Sequence, residues 1–335
     1  MEALRSSSSS VLESRVGGHS GIFSAPTTQR EFLHATSFFA WSYVNLCCEG
    51  VTHDTFGVGM TEWNAIAYAT VSELQTAMAA EVLSLLDLKG NELVLDLGCG
   101  NGRVTAEIAA RVPAGTVVGI DASADMIAYA SDHFGPAVRP NLRFETGDIR
   151  FLPFREEFDL VVSFNALHWI PEQNQALRSI QAALKPNGLA QLRLVPTGKR
   201  ESIENVIEET RLSPKWTGYF REFHDPYLHL TPEQYRALAE RNHLDVRRIH
   251  TEDKAWDFKS REAFIAFSLV SMIEWTKLLP ERDRLAFVTD VLDRYRSVTC
   301  DMAGEENTFK FYQMDVTLAP AEPGHDFGMP SLSVN

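Results

Sequence analysis

Several features that would each point to a chemistry are scarce or missing in this sequence. It has four cysteines in 335 residues, Cys47, Cys48, Cys99 and Cys300. They show neither C-x-x-C nor zinc spacing. Two are adjacent and one sits in a glycine-rich turn, which points to a reducing compartment and a cytoplasmic protein. No His/carboxylate cluster has ligand spacing, so no metal is expected. Basic charge is also short: 31 Lys and Arg stand against 45 Asp and Glu, a formal charge of −14. That balance makes a broad phosphate-binding surface, and with it a nucleic-acid partner, a poor expectation. No run reaches the roughly 18 apolar residues of a membrane span. No repeat occurs at a solenoid period.

Ordered patterning starts near residue 60. Residues 1–59 contain the low-complexity "RSSSSS" and the aperiodic "VGGHSGIFSAPTTQ". Their acids, Glu2, Glu13, Glu31, Glu49 and Asp54, argue against a transit peptide. Two readings fit: a disordered extension, or sequence upstream of a true start at Met60. Residues 319–335 read as a disordered tail on the same grounds. Residues 60–318 read as one domain. "EWNAIAYATVSELQTAMAAEVLSLLDL" has helical apolar spacing and reaches Gly90, a C-cap residue.

Strands "ELVLDL", "GTVVGID", "LRFETGD", "EFDLVVSFN" and "LAQLRLVP" then alternate with helices, Ser123 capping the second of them. Two further strands, "DVRRIHTEDKAWDF" and "TFKFYQMDVTL", follow among additional helices. The expectation is an α/β fold: a doubly wound, seven-stranded, mostly parallel sheet of Rossmann-like type. Helical cap insertions, about 198–230 and 259–303, are expected over the carboxyl ends of the strands, where open α/β sheets bind ligands.

The stretch "LVLDLGCGNGRVT" is a strand, a glycine turn and a helix start. Gly98, Gly100 and Gly102 give G-x-G-x-G, and Arg103 stands where the dinucleotide fingerprint needs its third glycine. No G-K-[ST] follows, which argues against a phosphate loop. Asp96, two residues before Gly98, is awkward beside a pyrophosphate but suits a ligand that carries an ammonium group.

With these residues the sequence resembles the class I S-adenosylmethionine-dependent methyltransferases, whose first motif is D-x-G-x-G-x-G. The resemblance covers Thr61 to about Leu318 and implies S-adenosyl-L-methionine as cofactor. Glycines remove Cβ atoms so that backbone can lie against the cofactor. By the match, Asp121 in "GIDAS" accepts from the ribose hydroxyls and Asp148 in "GDI" from the adenine amino group. Ile149 then lies at the ring edge and Met126 on its face. The implied cofactor set also takes in Cys99, Asn101, Ala122 and Asn165, with Cys99 a small buried filler rather than a nucleophile.

The fourth strand runs into "SFNALHWI". Here the chain resembles a carboxylate-methylating branch that includes the trans-aconitate, juvenile hormone acid and malonyl acyl-carrier-protein methyltransferases. "LHW" at Leu167–Trp169, "SELQ" ending at Gln75 and "SPKW" at Ser213–Trp216 resemble the insect enzymes, and "EWNAIAY" the trans-aconitate ones. The implied acceptor is a small or medium carboxylic acid. A carboxylic acid ordinarily titrates near pH 4, so it arrives ionised and needs no general base. Neutral donors suffice to orient it, and the Gln75 amide and Trp169 indole N–H are apt, with Tyr68 a further hydroxyl.

His168 is either a wall residue or, for a quinone, phenol or enol acceptor, a base. Trp169 is either a core aromatic or a direct contact. A third reading makes the chain a non-catalytic, cofactor-binding module. Trp216, Phe264, Phe267, Met272 and Trp275 recur at helical spacing and read as core, though they could form an apolar lid. Lys199, Arg200, Arg211, Lys215 and Arg221 could instead serve a tricarboxylate. Oligomeric state is not readable from the sequence.

Overall fold

The computed structural model describes residues 73–225 and 227–322. The segment 1–59, the first part of the expected opening helix with Tyr68, and residues 323–335 lie outside the described residues.

Helix α1 (Glu73–Ser84) stops four residues short of the expected Leu88. At its end the Ser84 hydroxyl donates to the Glu81 carbonyl at 2.6 Å, and the Leu85 amide to Val82 at 3.1 Å. These i→i+3 bonds tighten the last turn, and a side chain competing for the backbone favours termination. Leu86 and Leu88 then pack into the core outside any helix. Gly90, at φ 100°, makes the turn into the first strand.

Near-continuous apolar runs make strands that are buried on both faces. So β1 (Leu93–Leu97) and β2 (Thr116–Asp121) form the sheet's interior with β4 (Phe158–Phe164) and β5 (Leu184–Leu194). β3 (Leu142–Thr146) is one edge; β6 (Leu244–Asp257) is the other, paired to β7 (Thr308–Pro320). The seven strands run in the order β3-β2-β1-β4-β5-β7-β6. The four contacts among β1 to β5 are parallel, and β7 is antiparallel to both its neighbours. The order reverses between β1 and β4, which opens a crevice at their carboxyl ends.

Alternate residues of one strand serve opposite faces. Leu95, Leu97, Val118 and Ile120 pack with α4 (Gln173–Ala183) and α6 (Pro232–Arg241). Val94 and Val117 pack with α2 (Arg103–Arg111) on the other face. Between β2 and β3, α3 (Ala124–Phe134) starts at Ser123, whose hydroxyl accepts from the Met126 amide at 3.2 Å. Thr231 and Gln234 form a capping box at α6, with Pro232 in its first turn.

The expected helix end "KPNG" belongs to β5 instead, with a register shift between Phe158 and Leu160. Pro186 cannot continue α4, and the chain pairs with β4 at once.

A second apolar cluster gathers the helices expected to form the cap. It unites Leu74 with α5 (Ile203–Arg211), α7 (Arg261–Ser271), α8 (Ile273–Thr276) and α9 (Glu281–Thr299). Trp216, Phe264, Met272 and Trp275 are buried within it, so they are cap core. β6 and β7 pair from Leu244 opposite Pro320 to Asp257 opposite Thr308, well past the five residues of β5 paired to β7. Their projecting ends carry Trp256, Phe309 and Phe311 into the cap. No helix among the described residues is long and apolar enough to cross a membrane.

Candidate active site

The glycine turn leaves β1 at the crevice. Gly98, Gly100 and Gly102 all have positive φ, at 73°, 53° and 79°. They do different work. A Cβ on Gly98 would lie 2.2 Å from the Ala166 Cβ, and one on Gly102 would lie 2.7 Å from Ala130 and Phe144. Those two glycines let other parts of the protein close in. A Cβ on Gly100 would meet no described atom within 4 Å, so this turn presents bare backbone to open space, as a cradle for a ligand requires. Asn101 and Arg103 follow directly, the Asn101 side chain accepting from the Arg103 amide at 3.3 Å.

Two carboxylates brace the turn. Asp121, the last residue of β2, accepts from the Gly100 amide at 2.8 Å and from the Ser123 amide at 2.9 Å. A carboxylate has about four lone-pair sites, so such a group can take ribose hydroxyls as well. Asp96 is buried behind the turn and accepts from the Thr105 hydroxyl at 2.7 Å. Burial, opposed by that bond and helped by Asp121, pushes its carboxyl up to about 7. A nearby ammonium would reverse that shift. Cys99 is buried against Gly119, and burial pushes its thiol well up, so it is an inert filler.

Just beyond β3, Asp148 caps a short 3-10 turn, Ile149–Phe151. Its carboxylate takes a fork from Arg150, with contacts of 2.7 to 3.0 Å, and Arg150 reaches Glu172 at 2.9 Å. Partial burial opposes the charge and Arg150 outweighs it, holding Asp148 below the usual carboxylate range. Ile149 and Met126 are buried nearby, and Ala122 follows Asp121 at the end of β2. Because β3, β2, β1 and β4 are adjacent and parallel, Asp148, Asp121, the glycine turn and Asn165 share one edge of the sheet.

At the end of β4, Asn165 adopts φ 58° and donates its amide to the Arg193 carbonyl at 2.9 Å. Asn and Gly tolerate that region best. The chain then forms a 3-10 turn, Leu167–Trp169. Trp169 stacks obliquely on Tyr227, centroids 4.2 Å apart, and lies 6.4 Å from Trp275; Phe223 lies 6.0 Å from Trp275. His168 is buried beside Tyr227 at 5.0 Å, with no bond made by its Nδ1. Burial first, then His229, lowers the imidazole to about 3, so it is neutral at physiological pH. Gln75 lies in the first turn of α1, whose Leu74 and Met78 pack with this aromatic group. Its side chain lies outside the described residues. No group of three or more His, Cys, Asp or Glu among the described residues could hold a metal ion.

Several contributors escaped the sequence reading. Gln173 donates its amide to the Leu167 carbonyl and to that of Ile170 at 2.7 Å, clamping the turn that carries Trp169. Glu208 accepts from the Trp275 indole at 2.9 Å. Arg193 is buried in β5 and forks onto Asp315 at 2.7 and 2.9 Å. An arginine inside an apolar strand was the one visible signal among them.

Comparison with known proteins agrees with this geometry. Residues 94–188 match a family model described as a methyltransferase domain. A trans-aconitate 2-methyltransferase of Deinococcus radiodurans is 31% identical over 259 residues, covering 74% of this chain and 95% of that protein. The YcgJ protein of Bacillus subtilis superposes with a TM-score of 0.55 at 18% identity, over 74% of this chain and 99% of its own. A phosphoethanolamine N-methyltransferase of Haemonchus contortus, solved with S-adenosylhomocysteine, gives 0.51 at 17% identity, over 76% and 57%. With the turn, the strand-end acids and this relationship together, the chain belongs to the class I S-adenosylmethionine-dependent methyltransferases, with S-adenosylmethionine as its cofactor.

Proposed function

We propose that the protein is an O-methyltransferase that forms a methyl ester on the carboxylate of a small or medium acid with an apolar body. The observation that carries this is the burial of His168, packed against Tyr227 with no carboxylate on its Nδ1 to support a base. His168 is the titratable group on the Asn165–Ile170 turn, and burial keeps it neutral with its pKa lowered to about 3. A phenol or enol acceptor needs a proton removed, and an imidazole so weak is a poor base for it. A carboxylate arrives already ionised. The relationship to trans-aconitate 2-methyltransferases supports the same acceptor group.

Bound S-adenosylmethionine supplies an electrophilic methyl on a sulfonium. The chain's residues do the rest. Asp121 would hold the ribose, Asp148 would take the adenine amino group in exchange for one of its Arg150 bonds, and the backbone at Gly98, Gly100 and Asn101 would receive the cofactor's chain, with Cys99 packed behind. Asn165 and the turn after it form the floor from which Trp169 faces the acceptor. Gln75 and the Trp169 indole would orient the carboxylate for in-line attack on the methyl group. Charge is annihilated as the bond forms, so an apolar enclosure assists the step. Tyr227 and Phe223, half-buried against the cap core, would furnish that enclosure.

The cap also favours a singly charged acid over a polyanion. Arg200 is held by Asp253, Arg211 by Glu208 and Lys215 by Asp290. Lys199 and Arg221 are exposed. Cations already neutralised by carboxylates attract a tricarboxylate weakly. An acid panel with labelled methyl donor tests this. Apolar monocarboxylic acids should turn over at least tenfold better, by kcat/KM, than trans-aconitate; the reverse order would refute the apolar-body assignment. Trp169→Ala should lower turnover on the order of tenfold with cofactor binding retained. Full activity would remove Trp169 from the mechanism.

A further inference from the structure

Helix α1 is tied to the sheet through one carboxylate. Glu81 accepts from Arg193 Nη1 at 3.0 Å and from Lys254 Nζ at 2.6 Å. Burial works against its charge, but Lys254 and Arg193 outweigh it and hold the carboxyl below its usual range. The Arg193 side chain is only 2% exposed, and its Nε and Nη2 are taken by Asp315. A guanidinium has five N–H donors in a fixed fork, so a third arm remains for Glu81.

The same residue works through its backbone. The Arg193 carbonyl accepts the Asn165 amide at 2.9 Å, at the point where the chain turns toward Trp169. The far end of α1, about 10 Å along the helix from Glu81, meets two parts of the site. Leu74 packs into the cap cluster with Trp169 and Trp275. The Thr76 hydroxyl accepts from Arg103, the residue after the glycine turn, at 3.3 Å. One buried cation therefore touches the helix that carries Gln75 and the turn that carries Trp169.

We propose that Glu81 is a positioning residue that acts through Arg193 and Lys254. It locks α1 onto the sheet and so sets the helix's first turn against the glycine turn and the Asn165 turn. Its side chain is 46% exposed, so its replacement leaves no buried charge of its own. Arg193 keeps its fork onto Asp315, and the sheet core stays intact.

Glu81→Gln in the full chain tests this with S-adenosylhomocysteine as the only ligand, so the outcome does not depend on which acceptor is methylated. Backbone hydrogen exchange over α1 should speed up about tenfold, the scale of one charge-assisted hydrogen bond, while β1, β2 and β4 keep wild-type rates. S-adenosylhomocysteine affinity should weaken about three- to tenfold. Lys254→Met should move both readouts the same way by less, and adding it to Glu81→Gln should change neither further. Unchanged α1 exchange with unchanged affinity would overturn the proposal. So would faster exchange spread evenly over the sheet, which marks a general stabiliser, or fully additive effects of the two substitutions.

Discussion

Gly98 and Gly100 lack the same atom for different reasons, and substitution separates them. Gly98→Ala drives a Cβ into Ala166 from a left-handed backbone. It should cost about 3 kcal/mol of stability, overpacking and backbone strain together. Gly100→Ala meets only open space. It should cost about 1 kcal/mol of strain yet weaken cofactor binding at least tenfold. Thermal unfolding and calorimetry on the two variants check the contrast.

Asp96 gives the site a pH dependence whose sign follows from its raised carboxyl. Unfolded, it titrates near 4; folded and without ligand, it titrates at about 7. Between those values the folded state holds a proton that the unfolded state has lost, so this group's contribution to stability falls as pH rises from about 4 to 7. A cofactor ammonium placed beside Asp96, as the proposed function has it, would favour the ionised form. Affinity for S-adenosylmethionine should therefore weaken as pH drops below about 7, by up to tenfold per unit, and Asp96→Asn should flatten that dependence. His168 should behave in the opposite manner. Being neutral throughout, it gives no inflection in the pH–rate profile between pH 6 and 9, and His168→Gln should retain activity within about threefold. A rising limb lost in that variant would instead favour a base role and a phenol or enol acceptor.

Among elements, the short turn Leu167–Trp169 depends on α4 for its shape. Gln173, in the first turn of that helix, donates to the carbonyls of Leu167 and of Ile170, the residue that closes the turn. Gln173→Ala takes its donor from the Ile170 carbonyl and leaves the Leu167 carbonyl with the Ile170 amide alone, at a cost of about 1–3 kcal/mol, and should reduce turnover more than cofactor affinity. Comparing kcat with the affinity for S-adenosylhomocysteine reads this directly. Elements whose signals are local were legible in the sequence. The caps at Ser123 and Thr231 and the apolar runs of β1 and β2 each state their structure within a few residues. Where two elements meet without a loop, as at Ala183 and Leu184, the Pro-Asn-Gly signal pointed to a helix end when the chain was already in β5. The end of α1 at Ser84 was missed because a side-chain hydroxyl bonding to backbone leaves the apolar spacing unchanged.

Over the whole molecule, the clustering of three acids at one end of the sheet was readable because a parallel sheet places successive strand ends side by side. Asp96, Asp121 and Asp148 each stand near the end of their own strand, and the fold does the rest. The aromatic group around Trp169 was not readable in the same way. Trp169, Tyr227 and Trp275 meet across more than 100 residues of chain, and Glu81, Arg193 and Asp315 converge from an opening helix, a central strand and the last strand. Pairing decides what the cap's cations can do, and no spacing rule encodes it. The methyl donor is fixed by family and geometry alike, so the central claim concerns the atom that receives the methyl. Its most direct test is to transfer radiolabelled methyl from S-adenosylmethionine to an accepted acid and treat the product with mild alkali. A carboxyl ester must release the label as methanol. Label that survives alkali would place the methyl on carbon, nitrogen or a phenolic oxygen and contradict the account.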